Sequence, residues 1–590
     1  MPIMNIAVVL VILGLAYFWA GQGLFSALIH FLCVLVAGAV ALAVWEPLTY
    51  GLLLGLREDI AWSVGLLAPF VITVGLLRVL TNKYIPTNLD FSDTANFVGG
   101  AVFGGGGGLL TAGFLVISIG YLPVAPDFLG YKAVDWDRTT GAVDARNGSR
   151  LWIPADLITT KVYEQLSTGA LSTATPLAHR LPNLHEQADL MRVTYEGKSR
   201  TTLKPDDVTL GGHYVLETDA PADLLTDSFI VSEDGSPVPQ QVILPDGSPP
   251  PPGSRIEGFV ITLGPGAKEK KGQVVLGPGQ VRLLITTADG KAESLGPIAF
   301  IARSSGNTLQ VNRYRFDGPE VYAASVGGAA DATFAFEFAV PAGAATTDLM
   351  IKNVRVPTDS MPAPREIAST AERDDLVRTG EIIGVAAQSV GGAEVIGGGS
   401  SGPTQIATSG GFENRQKEIV ASRSVGVTFN KQDRGNLELN SDNRIIDGRA
   451  TLDKKHVGGS MPSQLRVDSF QAPEGTVLVK VDLSPQSRAS LLGQVLDAAE
   501  RVLPPTLVDT LGQQYQAVGY VYSDTSKIEI RFTPGQPIRG LTELPALSRS
   551  RSDQSLKLLF TPSAGVQIKS FGLGSKTKIV LDPPMQLRAR

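Results

Sequence analysis

The strongest constraint on this chain is an uncharged run near its N-terminus, from Ile6 to Trp45. One helical crossing of a bilayer takes about 20 residues, and this run is twice that length. The sequence Gly-Gln-Gly at 21–23 interrupts it, which predicts two membrane-spanning helices, near 4–20 and 24–45, joined by a tight hairpin. A cleavable signal peptide is the competing interpretation, but the first residues lack a basic region and further apolar segments follow.

Two more apolar segments complete a predicted four-helix membrane region. The third crossing runs from about Ile60 to Leu80, and the fourth is the glycine-rich segment 95–122. Pro69 inside the third crossing is compatible with a membrane helix, because neighbouring groups can satisfy the backbone that proline frees. Four crossings place both ends of the region on one side of the membrane.

The fourth segment contains a regular pattern of glycines. Gly100, Gly104 and Gly108 recur every four residues, so they share one helix face. In lipid, such small residues let two helices approach closely, which drives their association. We therefore predict a helix-packing face, used within the chain or between copies of it. A flexible helix lining a small conduit is the alternative, and we interpret His30 as a packed residue rather than a proton relay.

This region resembles the membrane domain of the colicin V production protein (CvpA) family. The resemblance lies in the early tight hairpin, the third span and the segment "TNLDFSDTANFVGGAVFGGGGGLLTAGFLVI" at 87–117, and it covers about the first 160 residues. The chain departs from the family at Gln22 and in the unbroken glycine run 104–108, where the family usually carries arginines. The resemblance implies a link to toxin production or export and to processes of the cell envelope.

Membrane orientation follows from the same resemblance. It implies that both ends of the membrane region lie outside the cytoplasm, with Arg78 and Lys83 inside. The expected location is therefore the cytoplasmic (inner) membrane, crossed several times, with the rest of the chain extracytoplasmic. The bilayer is one expected partner, and a second copy of the chain, bound through the glycine face, is another.

The remainder of the chain is predicted to be mainly β. In "FAFEFAV" at 334–340, apolar residues alternate with small or polar ones, as is typical of a β-strand. A helix after Pro154 is expected either along the bilayer surface or against the next domain. The predicted domains are a four-helix CvpA-like membrane domain (1–125), a mixed helical connector (126–204), an immunoglobulin-like β-sandwich (205–357), a flexible Gly/Ser-rich linker (358–422) and a second immunoglobulin-like β-sandwich with a helical insert at 487–503 (423–590).

No residues are predicted to be catalytic, to bind a cofactor or to hold a metal. The five histidines are scattered, and Cys33 is the only cysteine, which excludes an intramolecular disulfide and multi-cysteine metal sites. Ser400 fits the G-x-S-x-G pattern of a hydrolase nucleophile, but glycine-rich low-complexity sequence surrounds it. The net charge of −6 argues against a nucleic-acid partner.

The function predicted from the sequence is therefore non-enzymatic. We expect an integral membrane protein of the cell envelope whose β-domains bind an envelope protein or a cell-wall partner. A component of a membrane transport or export path is the alternative, and a membrane-anchored hydrolase is a third possibility.

Overall fold

The fold of the chain is given by a computed structural model, in which an N-terminal helical bundle precedes two β regions. The structure describes residues 3–85, 89, 91–122, 128–130, 135–136, 143–144, 151–170, 176–185, 203–216, 227–231, 237–240, 244, 248–268, 272–304, 310–316, 323–325, 327–383, 404–407, 418–458, 461–473, 475–487, 489–490, 501–510, 512–548, 550–574 and 576–587.

The described residues include four helical segments that are long and apolar enough to cross a membrane, which confirms that prediction. Gly23 separates the first two at φ 87°, a left-handed conformation that favours glycine. Ser92 caps the last, because its Oγ accepts a hydrogen bond from the Ala95 N–H at 3.3 Å. The helices are α1 (Ile3–Gln22), α2 (Leu24–Leu48), its short continuation α3 (Leu54–Leu56), α4 (Ala61–Tyr84) and α5 (Asp93–Gly120).

Helix α5 is the centre of the bundle, since it packs against α1, α2 and α4. It also packs against α6 (Ala155–Thr168), which is followed by the short α7 (Leu177–Arg180). Tyr163 of α6 is buried, and its hydroxyl donates to the carbonyl of Leu35 in α2 at 3.0 Å. Helix α6 is therefore part of the bundle, whereas the sequence suggested a position on the bilayer surface or on the next domain.

The first β region is a sandwich of two sheets around an apolar core. Phe259, Phe336 and Phe338 of the larger sheet pack in that core with Leu283 and Leu349 of the smaller one. Within the described residues the larger sheet has the order β11-β10-β13-β6-β3-β16 and the smaller one β15-β14-β8-β9. The strands are β3 (Val208–Leu216), β6 (Arg255–Leu263), β8 (Val281–Thr286), β9 (Ala292–Leu295), β10 (Ala299–Ser304), β11 (Gln310–Arg315), β13 (Ala332–Val340), β14 (Ala345–Ile351), β15 (Val354–Pro357) and β16 (Arg365–Ile367).

The second β region has the same two-sheet plan. Leu558, Phe560 and Phe571 lie in the core that its sheets share. In the part of the chain described, the sheets have the orders β18-β23-β28-β26-β27-β21-β20 and β17-β30-β29-β24-β25. The strands are β17 (Thr404–Ala407), β18 (Ile419–Ala421), β20 (Asn436–Leu439), β21 (Ile445–Asp453), β23 (Val479–Asp482), β24 (Pro505–Asp509), β25 (Gln514–Gln516), β26 (Gly519–Ser523), β27 (Lys527–Phe532), β28 (Ser555–Phe560), β29 (Gln567–Leu573) and β30 (Lys576–Gln586).

Short strand pairs accompany the two sandwiches and the segment that precedes them. They are β1 (Asp135–Trp136) with β2 (Val143–Asp144), β4 (Asp227–Val231) with β5 (Pro237–Gln240), β7 (Val275–Leu276) with β12 (Ala323–Ala324), and β19 (Ser424–Asn430) with β22 (Arg466–Ser469).

The predicted linker 358–422 is structured in part. Its first residues form β16, which pairs in parallel with β3, and a helix, α8 (Thr370–Thr379). Leu376 and Val377 of α8 are buried against apolar residues on the outer face of the six-stranded sheet, among them Ile301 and Ala335. Further along, β17 pairs in parallel with β30. Ser400 lies outside the described residues, as does most of the helical insert predicted at 487–503.

Candidate functional site

The three glycines predicted to pack a helix lie against α1 of the same chain. A Cβ added at Gly100 would stand 2.6 Å from the carbonyl oxygen of Trp19, and one at Gly104 would stand 2.6 Å from the Cβ of Trp19. At Gly108 the nearest atom would be the Cα of Ile12, at 3.1 Å. Real Cβ atoms essentially never come as close as the first two distances, so α1 and α5 approach each other more closely than a face with side chains would allow.

Other glycines of α5 face different helices. A Cβ at Gly106 would lie 3.2 Å from the Phe31 ring of α2, and one at Gly113 would lie 2.4 Å from the carbonyl oxygen of Ala155 in α6. The glycine run therefore lets α5 contact several helices at short range. The four-residue repeat predicted only one of these faces.

The structure also joins the membrane bundle to the first β-sandwich through a buried carboxylate. Glu46 lies near the C-terminal end of α2 and is 7% exposed. Its Oε1 accepts hydrogen bonds from Nη2 and Nε of Arg355 in β15, at 3.0 and 3.3 Å. Its Oε2 forms an ion pair with Arg180 of α7. One membrane-helix carboxylate thus holds an arginine from the β-sandwich and another from the connector.

Backbone contacts strengthen this junction. The hydroxyl of Tyr50, in the π-helical turn that follows α2, donates to the Asn353 carbonyl at 2.8 Å and accepts from the Arg355 N–H at 3.3 Å. The Asn353 side chain in turn donates to the Leu203 carbonyl at 2.9 Å and accepts from the Leu203 N–H at 3.0 Å. Tyr50 therefore bonds to the β14–β15 turn, and that turn bonds to the chain segment that enters the sandwich.

The charges at the junction balance. Asp348 of β14 lies 3.0 Å from Nη1 of Arg355, so two carboxylates, Glu46 and Asp348, face two arginines, Arg355 and Arg180. Burial lowers the pKa of Arg355, but the two carboxylates more than offset burial, and the pKa lies above its ordinary value. Glu46 and Arg355 are the buried members of this set, whereas the Arg180 side chain is 41% exposed, and Nη1 of Arg355 is paired with Asp348 without a hydrogen bond. We name Glu46, Tyr50, Arg180, Asp348, Asn353 and Arg355 the junction cluster.

Aromatic side chains surround the membrane side of the junction cluster. The ring of Trp45 makes T-shaped contacts with the rings of Trp62 and Tyr121. Its indole N–H donates to the Trp62 carbonyl at 2.8 Å. Tryptophan and tyrosine concentrate where the hydrocarbon core meets water. A more exposed ion pair, Lys204 with Glu58 at 2.8 Å, lies beside the cluster.

The sequence carried only a weak signal for the junction cluster. Glu46 is the first charged residue after the uncharged run, and an acid there can mark either a helix end or a site. Arg355 lies some three hundred residues away in a strand of ordinary composition, so only the tertiary structure brings it to Glu46. The cluster contains no nucleophile paired with a base. Its ion pairs and hydrogen bonds instead fix the position of the first sandwich relative to the membrane helices.

A second buried charge cluster lies under α8. Glu337 of β13 is fully buried, and its carboxylate accepts from the Tyr214 hydroxyl at 2.8 Å and from Arg313 Nε at 2.7 Å. Nη1 of Arg373, in α8, lies 3.6 Å from Oε2 of Glu337. Burial raises the pKa of Glu337, but the two arginines and the tyrosine hydroxyl outweigh burial and hold the pKa below its usual value. This cluster attaches α8 to the sheet.

The two sandwiches contact each other directly. The Ala330 N–H donates to the Gln514 carbonyl at 2.9 Å, and the Ser563 hydroxyl donates to the Gly327 carbonyl at 3.0 Å. Gly328 has φ 73°, and a Cβ there would lie 1.8 Å from the Thr561 carbonyl oxygen. The interface therefore depends on a backbone approach that only glycine permits.

Within the described residues, no group of three or more His, Cys, Asp and Glu side chains could hold a metal ion. No family model matches the chain, and neither a curated protein nor a solved structure matches it.

Proposed function

We propose that this protein is a non-enzymatic membrane anchor that presents two β-sandwiches in a fixed orientation on one side of a membrane, where they bind an envelope protein or a cell-wall component. The junction cluster carries the proposal. A tether that only retains a domain at the membrane needs no buried ion pairs, whereas Glu46 and Arg355 fix a strand of the sandwich to the end of a membrane helix.

The arrangement of elements supports the same proposal. The connector helix α6 packs on α5 with one face, and α7 reaches the junction through Arg180. The second sandwich is bonded to the first through Ala330 and Gln514. A continuous series of contacts thus runs from the bundle to the outermost sheet, as expected of a platform for binding. The immunoglobulin-like topology and the CvpA relationship expected from the sequence stay predictions.

We place the protein in the cytoplasmic membrane with the sandwiches outside the cytoplasm. The test replaces the buried Cys33 with serine and introduces one cysteine at Ser526, which is exposed in the turn between β26 and β27. A membrane-impermeant maleimide should label this variant in intact cells. The matched control is Lys83→Cys at the opposite end of the bundle, which should be labelled only in opened cells. The reverse pattern would make the protein a cytoplasmic scaffold and contradict the proposal.

Binding is tested separately, with the full chain in detergent. Co-sedimentation with isolated peptidoglycan sacculi, and not with cellulose, supports a cell-wall partner. Photo-crosslinking in cells, from a reactive residue at the exposed position 526, tests for a protein partner. If neither experiment detects a partner, the binding role is wrong. Solute flux through vesicles that contain the purified chain would instead support the export alternative.

A further inference from the structure

A cavity of about 260 Å³ lies where the two sandwiches meet. One wall comes from the six-stranded sheet and the loop before β13, and the other from the turn before β25. The polar side chains that line it are Thr262, Arg303, Ser325, Asp331, Thr333, Gln513 and Gln514.

Arg303 is the cation of this cavity. Its Nη1 donates to the Gln513 side-chain oxygen at 2.7 Å, which fixes the guanidinium. Its Nε is buried and has no hydrogen-bond partner among the described residues. The planar guanidinium group offers its N–H donors in pairs that match the two oxygens of a carboxylate. One pair of donors consists of this unpartnered Nε and Nη2, and because Nε has no open surface in this structure, a carboxylate takes both donors only when the side chains around Nε shift.

The acids near Arg303 leave its Nε without an acceptor, although Asp509 offsets part of the charge of the guanidinium. Asp509 is buried, and its carboxylate already accepts from the Gln513 N–H and from the Tyr515 hydroxyl, both at 2.9 Å. Asp331 lines the cavity and interacts with the buried Lys268, whose pKa burial lowers to about 8. Arg303 and Asp331 are the charged side chains that line the cavity, so their charges balance, and a ligand with a single negative charge disturbs this balance less than the double charge of a phosphate.

We infer that the cavity between the two sandwiches binds a small ligand through one carboxylate held by Arg303. The ligand would contact both sandwiches and close the cavity between them. This inference deepens the proposed function, on which it rests, because it names the chemical group that the sandwiches bind.

The test uses a ligand pair that differs only in the charged group. N-acetylglycine and N-acetylglycinamide are titrated by calorimetry into the full chain in detergent. N-acetylglycine should bind at one site per chain, and the amide should bind at least tenfold more weakly. Equal binding of the two compounds, tighter binding of inorganic phosphate, or no binding of N-acetylglycine would overturn the inference.

Two variants locate the site. Arg303→Gln should lower the affinity for N-acetylglycine at least tenfold, and Arg303→Lys should lower it less, since lysine keeps the charge and loses the paired donors. The matched control is Arg466→Gln, at an arginine that is half exposed and paired with Asp468 on β22; it should bind as the parent does. If Arg303→Gln binds normally, the site is wrong.

The failure of this inference is distinguishable from that of the proposed function. A chain that still binds sacculi or a protein partner, but shows no carboxylate site, keeps its proposed role and loses only the ligand assignment. The ligand pair gives its answer on the unsubstituted chain, so it does not depend on whether the Arg303 variants fold.

Discussion

Two buried glutamates each face two arginines, and each of them joins two elements of this protein. Glu46 pairs with Arg355 and Arg180, and Glu337 pairs with Arg313 and lies near Arg373. Removing one partner of a buried ion pair leaves an uncompensated charge, which costs more than the pair itself contributes. The consequences of substituting either glutamate should therefore be large.

Glu46→Gln should destabilise the docking of the first sandwich on the bundle by about 1–3 kcal/mol, because it weakens the hydrogen bonds of the buried Arg355, which keeps Asp348 as its ion-pair partner. Thermal unfolding in nanodiscs, followed by tryptophan fluorescence, to which Trp45 and Trp62 beside the junction cluster contribute, measures this. The matched control is Glu58→Gln, whose partner Lys204 is half exposed, and its cost should stay below about 1 kcal/mol. Equal losses in the two variants would contradict the role assigned to Glu46.

Glu337 makes the free energy of unfolding depend on pH in the acidic range. Its folded pKa lies below its ordinary value of 4.5, so its stabilising contribution is complete above pH 4.5 and is lost as the pH falls through the folded pKa. Glu337→Gln should therefore be less stable than the parent at neutral pH and should approach it in acid. Melting curves by circular dichroism between about pH 3 and 7 test this, and a constant difference across that range would refute it.

At the scale of elements, α5 shows how glycine controls helix packing. Gly104→Leu should destabilise the bundle, because its Cβ alone would lie 2.6 Å from Trp19 and 2.9 Å from the Leu15 carbonyl oxygen. Gly75→Leu in α4 is the matched control, since nothing lies within 4 Å of a Cβ there. Resistance to protease in detergent should fall for the first variant and stay unchanged for the second. Equal resistance would mean that α1 does not pack on this face.

The interface between the sandwiches allows a similar comparison. Gly328→Ala should loosen it, because the Cβ would lie 1.8 Å from the Thr561 carbonyl oxygen. Gly290→Ala has a similar positive φ, of 80°, with open space around it, so it isolates the backbone strain of about 1–2 kcal/mol. Hydrogen exchange at β25 should rise only in the Gly328 variant. A rise in both variants would show strain rather than contact.

The sequence predicted the elements whose signal is local and missed those that depend on distant partners. The four membrane helices follow from the uncharged run and the later apolar segments, and the strand 332–340 follows from alternation. Helix α8 was assigned to a linker, because its few apolar residues gain burial only against a distant sheet. The junction cluster could not be predicted, because Glu46 and Arg355 meet only after folding.

At the scale of the whole molecule, the bundle and both sandwiches are joined by specific contacts. The junction cluster connects the bundle to the first sandwich, and the contacts around Gly328 connect the first sandwich to the second. The membrane region therefore positions the sandwiches as well as retaining them. Under the proposed function, a partner would meet the sandwiches in one fixed orientation relative to the bilayer.

The most direct test of this account measures the distance between two spin labels by pulsed electron paramagnetic resonance in nanodiscs. In a Cys33→Ser background, Leu56→Cys and Asp289→Cys place labels at exposed positions on the bundle and on the first sandwich. We expect one narrow distance distribution, which Glu46→Gln broadens. A broad distribution without that substitution would show that the sandwich is tethered rather than docked, and would contradict the account.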